Sequence, residues 1–408
     1  MEASLEERVH DFILAGISES TITGPPDPFW QGLRDTGTEL WLDTGDMKEA
    51  ATIWTAEMSA LTTNNTLINK EIQKGIYDVF VSEAGEMVGD LPLKDQVMEI
   101  AFILNARHGM RLARAFGGLV SVELHTDISH NLDAIIEYGQ RYYRVNPGQF
   151  IVKVPYTATG LLGARKLREL GVRVNFTLEF SARQNVFVSL IARPDYTNVF
   201  LGRLGAYMRD NGLGDGSGIG ERAVLSSQRW VRRLTRTHEV PTKLIAASLR
   251  SADQLESLAG VDVFTMPTAV AASGRKSLSG DFHARLDAEP AVGATGKAGQ
   301  FYLEKAWEVT PEEEELARDL AANLPENGEE LVLRVRDAGC KDMFPELGDG
   351  DLRVLARDGK IPRHERWADR IAAGELAIDT LLNLAGLESF ATDQAALDER
   401  IRHIIGGA

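Results

Sequence analysis

A lysine stands in the middle of an apolar run, Phe150-Ile-Val-Lys-Val-Pro155. An ammonium placed there must leave water, which is costly unless something compensates. On a strand, residues two apart share a face, so Ile151, Lys153 and Pro155 point one way. If that face is the inside of a closed sheet, the amine is partly desolvated. Burial disfavours the charged form, and an amine attacks carbonyls only when neutral. At the ordinary pKa of about 10.4, about one lysine in a few thousand is neutral at pH 7. The other reading is a lysine whose head emerges at the strand end and pairs with an acid. This segment alone leaves the two evenly matched.

Other polar residues fall at similar places in other apolar runs. Leu42-Asp-Thr-Gly-Asp46 closes one run with a carboxylate, and Thr62-Thr-Asn-Asn65 closes the next with hydroxyls and amides. Glu123 lies in Ser121-Val-Glu-Leu124; Asn175 and Thr177 lie two apart in Val174-Asn-Phe-Thr-Leu178. Arg203 and Arg250 each follow a run of their own. Any one of these is more often a cap or a structural hydrogen bond. Together they would gather acids, amides and two arginines around one lysine.

The elements that must position them alternate. Strands are expected near 39–43, 60–64, 119–124, 150–155, 172–177, 198–202, 243–248 and 262–266. Amphipathic helical stretches lie between them, for example 93–116, 133–143, 159–170 and 252–258. Such alternation implies parallel pairing through right-handed crossovers. Eight strands close a (β/α)8 barrel or form an open doubly wound sheet. Polar residues at the strand ends favour the barrel, an α/β fold that builds its site there. No Gly-rich phosphate loop follows the first strand, as an open dinucleotide fold would want. The run Gly212-Leu-Gly-Asp-Gly-Ser-Gly-Ile-Gly220 has the wrong spacing for one and reads as a mobile surface loop. Gly296-Lys297-Ala298 lacks the Ser/Thr and upstream Gly of a nucleotide loop.

Three regions are expected: an N-terminal helical segment (1–38), the barrel (39–270), and a C-terminal connection with helices (271–408). From about residue 273 to 299, Gly, Ala and Ser dominate, implying irregular chain. Helices are expected after it at 310–324, 329–338, 352–358, 365–384 and 392–405. The run Glu312–Glu315 falls in a first helical turn, where acids complement the dipole, and is not a metal site.

The 408 residues carry a net charge of −16, which argues against nucleic acid or an anionic membrane as partner. A few converging arginines would still bind an anionic metabolite. One cysteine, Cys340, excludes an intrachain disulfide and suits a reducing compartment. The acidic start MEASLEERVHDF is not a signal peptide, and no run reaches a membrane span. A cytoplasmic location is the expectation; a homodimer is one assembly open to it.

In order, these segments resemble the transaldolase family, specifically the branch whose first strand ends in Asp-Thr-Gly-Asp. Thr62-Thr-Asn64 is similar to its Thr-Thr-Asn-Pro signature, with Asn65 in place of Pro. Lys153-Val-Pro155 resembles its Schiff-base segment. Asn175-Phe-Thr177 with Phe180, Ser181 and Gln184 resembles its Asn-x-Thr-x-x-Phe-Ser-x-x-Gln. Phe200-Leu-Gly-Arg203 and Ala247-Ser-Leu-Arg250 resemble its Phe-Val-Gly-Arg and Ala-Ser-x-Arg. The resemblance covers about 41–267 and reappears at Glu388-Ser-Phe-Ala-Thr-Asp-Gln394. Asn198-Val199 replaces a Ser-Pro, and His125 follows Glu123 where the family more often has an acid nearby. A helical stretch of about 304–362 has no counterpart.

The resemblance implies that Lys153 forms a Schiff base with a ketose phosphate and passes a dihydroxyacetone unit to an aldose phosphate. Fructose 6-phosphate or sedoheptulose 7-phosphate would be donor. Asp43 would be the acid/base at the cleaved bond, and Glu123 would act through a water held by Thr177. Asn64 and Asn175 would hold hydroxyls, Thr63 would also bind substrate, and Asn198 would lie beside the phosphate. Arg203 and Arg250 would clamp the phosphate by their planar forks. Phe200 would line the pocket, an aromatic without a hydroxyl there favouring transfer over release. The Schiff base is its own electron sink, so no metal or other cofactor is required, and no His/Cys cluster has metal spacing. An aldolase releasing dihydroxyacetone, and a barrel that only binds sugar phosphates, are the rival readings.

Overall fold

Eight short runs rich in Val, Ile, Leu and Phe form strands, because branched side chains pack well on a pleated surface buried on both sides. The computed structural model describes residues 4–18, 21–295 and 301–406. Gly296-Lys297-Ala298 lies outside them. Two helices come first, α1 (Leu5–Leu14) and α2 (Pro28–Arg34). Then follow β1 (Glu39–Asp43), α3 (Met47–Ile53) and β2 (Met58–Thr62). Next are α4 (Asn65–Gln73), α5 (Asp78–Met87), α6 (Leu93–Phe116) and β3 (Leu119–Glu123). The pattern continues through α7 (Leu132–Val145), β4 (Phe150–Pro155), α8 (Ala158–Glu169), β5 (Val174–Thr177) and α9 (Ala182–Phe187). It goes on with β6 (Tyr196–Phe200), α10 (Leu201–Asp210), α11 (Ile219–His238), β7 (Lys243–Ala247), α12 (Asp253–Ser257), β8 (Val263–Pro267) and α13 (Thr268–Ser277).

Every strand pairs in parallel with its neighbours, and β8 pairs with β1, so the sheet closes into an eight-stranded barrel. The register then decides what sits side by side. Glu123 on β3 pairs with Lys153 on β4, and Lys153 pairs with Asn175 on β5. Asp43 on β1 pairs with Thr62 on β2. The strand at 198–202 is displaced: β6 spans Tyr196–Phe200, because Leu201 and Gly202 already open α10. Residue 270 is no boundary either, since α13 runs on to Ser277.

The remaining helices are α14 (Pro311–Ala322), α15 (Gly328–Asp337), α16 (Asp349–Asp358), α17 (Ala368–Ala372) and α18 (Ile378–Gly406). Thr310 caps α14 in a capping box with Glu313. The expected pair of helices at 365–384 and 392–405 is instead short α17 and one continuous α18. The break falls earlier, at Gly374 in the left-handed region (φ +63°). The Gly-rich run after α10 is a loop, but a docked one. Gly216 N–H donates to Gly293 O (3.0 Å) and Gly293 N–H to Ser217 O (2.8 Å).

Arg183, on α9 directly behind β5, ties these helices to the barrel. It is fully buried and bonds Asp379 of α18 through Nε and Nη2, both at 2.8 Å. Its Nη1 meets Glu313 of α14 (3.1 Å) and Asp342 (2.9 Å). Lys305 also reaches Asp342, at 2.6 Å. Removing one member of such a set leaves a buried charge unpaired, which costs about 3–5 kcal/mol.

Candidate active site

At the carboxyl ends of the strands lies a cavity of about 160 Å³. Asp43, Asn64, Lys153, Asn198, Phe200, Arg203 and Arg250 all line it, from β1, the β2–α4 junction, β4, β6, α10 and the end of β7. A more voluminous groove between α1 and α7, about 1120 Å³, has no buried nucleophile.

Lys153 is 4% exposed. Its Nζ donates to Thr63 O (3.1 Å) and lies 3.9 Å from Glu123 Oε2. That ion pair is too long for a direct hydrogen bond. Burial pushes the Glu123 carboxyl up to about 7, partly offset by the Lys153 charge. A carboxyl with that pKa gives and takes protons near neutrality. Glu123 Oε2 and Thr177 Oγ1 are buried, and neither has a protein hydrogen-bond partner. Asn175 donates to Ser121 Oγ (3.0 Å) and accepts from Asn198 Nδ2 (2.7 Å), so its amide is fixed on both sides. Asn198 also bonds the Phe176 carbonyl.

Asp43 accepts from Thr62 Oγ1 at 2.7 Å. The second acid of that motif, Asp46, does other work. It caps α3 and pairs with Lys74, which holds its carboxyl below the usual range. Asn64 caps α4 through Oδ1 while lining the cavity. Thr63 departs from its expected position. Its hydroxyl donates to Ser121 O (2.9 Å), it is fully buried, and it is not among the lining residues. Its backbone carbonyl is the part that faces Lys153, since alternation turns the side chain away.

Arg203 is buried, stacks at 5.1 Å over Phe200 and 5.7 Å over Phe390 of α18, and leaves Nη1 without a partner. Burial, then Arg250, pushes its pKa down to about 10. Two glycines make room here. A Cβ on Gly202 would meet Ser248 O at 2.2 Å and Arg250 Cγ at 2.6 Å. One on Gly386 of α18 would come within 3.0 Å of Arg203 Nη1.

Sequence reasoning missed several residues. Ser248 is held at φ +65°, and its buried hydroxyl, with no protein partner, lines the cavity beside Arg250. Its place in Ala247-Ser-Leu-Arg250 was the available signal. Lys70 and Lys360 also line the cavity, and nothing in their local sequence marked them. Glu179 is fully buried, and burial pushes its carboxyl up to about 8. Geometry agrees that it carries a proton. Thr197 Oγ1 lies 2.6 Å from both Glu179 Oε1 and Asn185 Oδ1. Asn185 Nδ2 is aimed at the carbonyls of Ser181 and Asn198, so its Oδ1 must accept. Thr197 has one proton to give, and Glu179 supplies the other. His125, Asp127 and Asp398 bring potential metal ligands within 4.8 Å. Both His125 nitrogens are engaged, Nδ1 by Asp127 N–H (3.1 Å) and Nε2 by Asp398 (3.3 Å), which makes it a tie between β3 and α18.

A profile of the transaldolase/fructose-6-phosphate aldolase family matches residues 40–322. The chain belongs to this family. Its relatives include a probable transaldolase of Thermus thermophilus, 31% identical over 236 residues, covering 57% of this chain and 88% of that one. A Chlamydia trachomatis transaldolase is 26% identical, covering 56% and 72%. One of Xanthomonas euvesicatoria is 29% identical, covering 56% and 69%. The transaldolase family match makes the protein an enzyme of transaldolase type, and the closed barrel agrees with that. Among the described residues, no helix is long and apolar enough to cross a membrane.

Proposed function

We propose that the protein transfers a dihydroxyacetone unit from a ketose phosphate to an aldose phosphate through a Schiff base on Lys153. The observation that carries this is a buried lysine registered between Glu123 and Asn175 at a barrel mouth that also presents Asp43 and two arginines. The Lys153 amine adds to the ketose carbonyl, and loss of water gives an iminium. Glu123 moves the protons of this step through a water seated between its Oε2 and Thr177 Oγ1, two atoms that need such a partner. Asp43 takes the proton of the hydroxyl next to the scissile bond. The carbon–carbon electron pair flows onto the iminium nitrogen, the aldose leaves, and an enamine remains. The enamine attacks the acceptor aldehyde, Asp43 returns the proton, and water releases the product. Asn64, Asn175 and Asn198 hold the donor hydroxyls, while Arg203, Arg250 and Ser248 hold the phosphate.

Fructose 6-phosphate or sedoheptulose 7-phosphate as donor fits this set. Phe200, an aromatic without a hydroxyl, favours transfer over release of dihydroxyacetone. The single cysteine supports a reducing, cytoplasmic location. Borohydride trapping with fructose 6-phosphate, read by intact mass and peptide mapping, tests the reading. A three- or six-carbon adduct on Lys153, absent in Lys153→Met, is expected. No adduct across a panel of ketose phosphates would overturn it in favour of a barrel that only binds sugars.

A further inference from the structure

The cavity holds more positive charge than two arginines require. Lys360 lies just after α16, beyond the residues the family profile matches, in the segment for which the sequence offers no counterpart. The fold nevertheless returns it to the cavity wall beside Arg203, Arg250 and Lys70. Its Nζ is anchored 3.4 Å from Thr66 Oγ1, and Thr66 in turn bonds Asp393 of α18. An ammonium has three donors, so two remain free. Among the described residues, no carboxylate lies within 4.0 Å of Lys70, Lys360, Arg203 or Arg250. Of these four Arg203 is buried, Lys360 is half-buried and Lys70 and Arg250 are exposed; like charges gathered on one cavity wall repel, and an anion among them relieves that repulsion.

The charges indicate the sign of the ligand. Five cations (Lys70, Lys153, Lys360, Arg203 and Arg250) stand against three acids, Asp43, Glu123 and Asp393. The balance is positive, which suits the charge of about −1.5 to −2 on a phosphate monoester at neutral pH. Lys360 supplies one of these positive charges. We propose that Lys360 is a substrate-binding residue that completes, with Arg203 and Arg250, a three-cation seat for the phosphate of a sugar phosphate. The helical stretch after the matched region thereby becomes part of the active site. This rests on the sugar-phosphate reading above.

Lys360→Gln removes the charge but keeps a polar contact to Thr66, and Lys360→Arg restores the charge. Binding of inorganic phosphate to the full chain is measured by calorimetry, and kcat and KM with fructose 6-phosphate and with unphosphorylated fructose. In Lys360→Gln, phosphate binding weakens and KM for fructose 6-phosphate rises, each about 10-fold or more. Its kcat changes little, fructose kinetics do not change, and Lys360→Arg recovers most of the loss. Equal losses on fructose would reduce Lys360 to a structural prop and overturn the proposal, as would unaltered phosphate binding. If the wild-type protein turns over neither sugar, the calorimetry still decides. Lys360-dependent phosphate binding would support the seat while the transfer reading fails. A variant that does not fold is replaced by Lys360→Met, judged by the same criteria.

Discussion

Arg183 and Arg203 are both buried arginines near the carboxyl ends of neighbouring strands, yet they are held in opposite ways. Arg183 faces three carboxylates, and their charges raise its pKa against the effect of burial. Arg203 faces two aromatic rings and another arginine, keeps a nitrogen unpartnered, and is pushed down to about 10. A cation that has used up its partners holds the fold together. One that the fold leaves unsatisfied is kept for a ligand. Glu123 Oε2, Thr177 Oγ1 and Ser248 Oγ likewise lack a protein partner.

The largest test lies at the centre of the unsatisfied set. Lys153→Met should lower kcat about 10³-fold or more while the protein still melts cooperatively, because Lys153 is the buried amine registered between Glu123 and Asn175. Activity within tenfold of wild type would break the assignment. Arg183→Met should do the reverse, costing about 3–5 kcal/mol of stability with little change in kcat per folded molecule. Thermal melts and active-site titration separate the two, and an unchanged Tm would contradict the tie. Arg203→Ala should raise KM for phosphorylated donors by roughly 10- to 150-fold, at little cost in Tm. A large loss of stability instead would move Arg203 to the structural side.

The smallest effect belongs to Glu179, whose carboxyl is raised from 4.5 to about 8 in the fold. Below pH 4.5 both states hold the proton, and the group is neutral in its effect. As pH rises towards 8, the unfolded chain ionises first, so stability is lost across that window. Glu179→Gln can still donate to Thr197 and does not ionise. Its Tm relative to wild type should therefore climb by roughly a few degrees between pH 5 and 8. A flat difference would mean that Glu179 is ionised in the native protein.

The sequence discloses the barrel well where local and tertiary signals agree. β1, β4 and α6 fall where the apolar patterns begin and end. The candidate residues Asp43 on β1, Lys153 on β4 and Asn175 on β5 are visible because a polar side chain in an apolar run is conspicuous. Helix α18 reads as two helices because the expected helical patterns stop at 384 and resume at 392. The structure shows why those positions need not be uniformly apolar: Phe390 lines the cavity and Asp393 reaches Thr66. Lys360 carries no signal, since a lysine after a polar helix looks like solvated surface. Only the path of the chain between α16 and α17 gives it a role. Thr63 shows the converse, a motif residue whose backbone, and not its side chain, faces the site.

Helix α18 has a consequence for how the molecule is made. In one 29-residue rod it meets Arg183 through Asp379, the cavity through Phe390, Asn65 through Gln394, His125 through Asp398 and Asp78 through Arg400. Asn65 and Gln394 are 329 residues apart in the chain. At about 5–20 residues per second on the ribosome, α4 must wait roughly 15–65 s for its partner. The barrel strands are complete only once β8 ends at Pro267, so for the remaining 127 residues to Gln394, roughly 6–25 s, the nascent barrel stands with its mouth uncovered and without the rod that finishes its catalytic end.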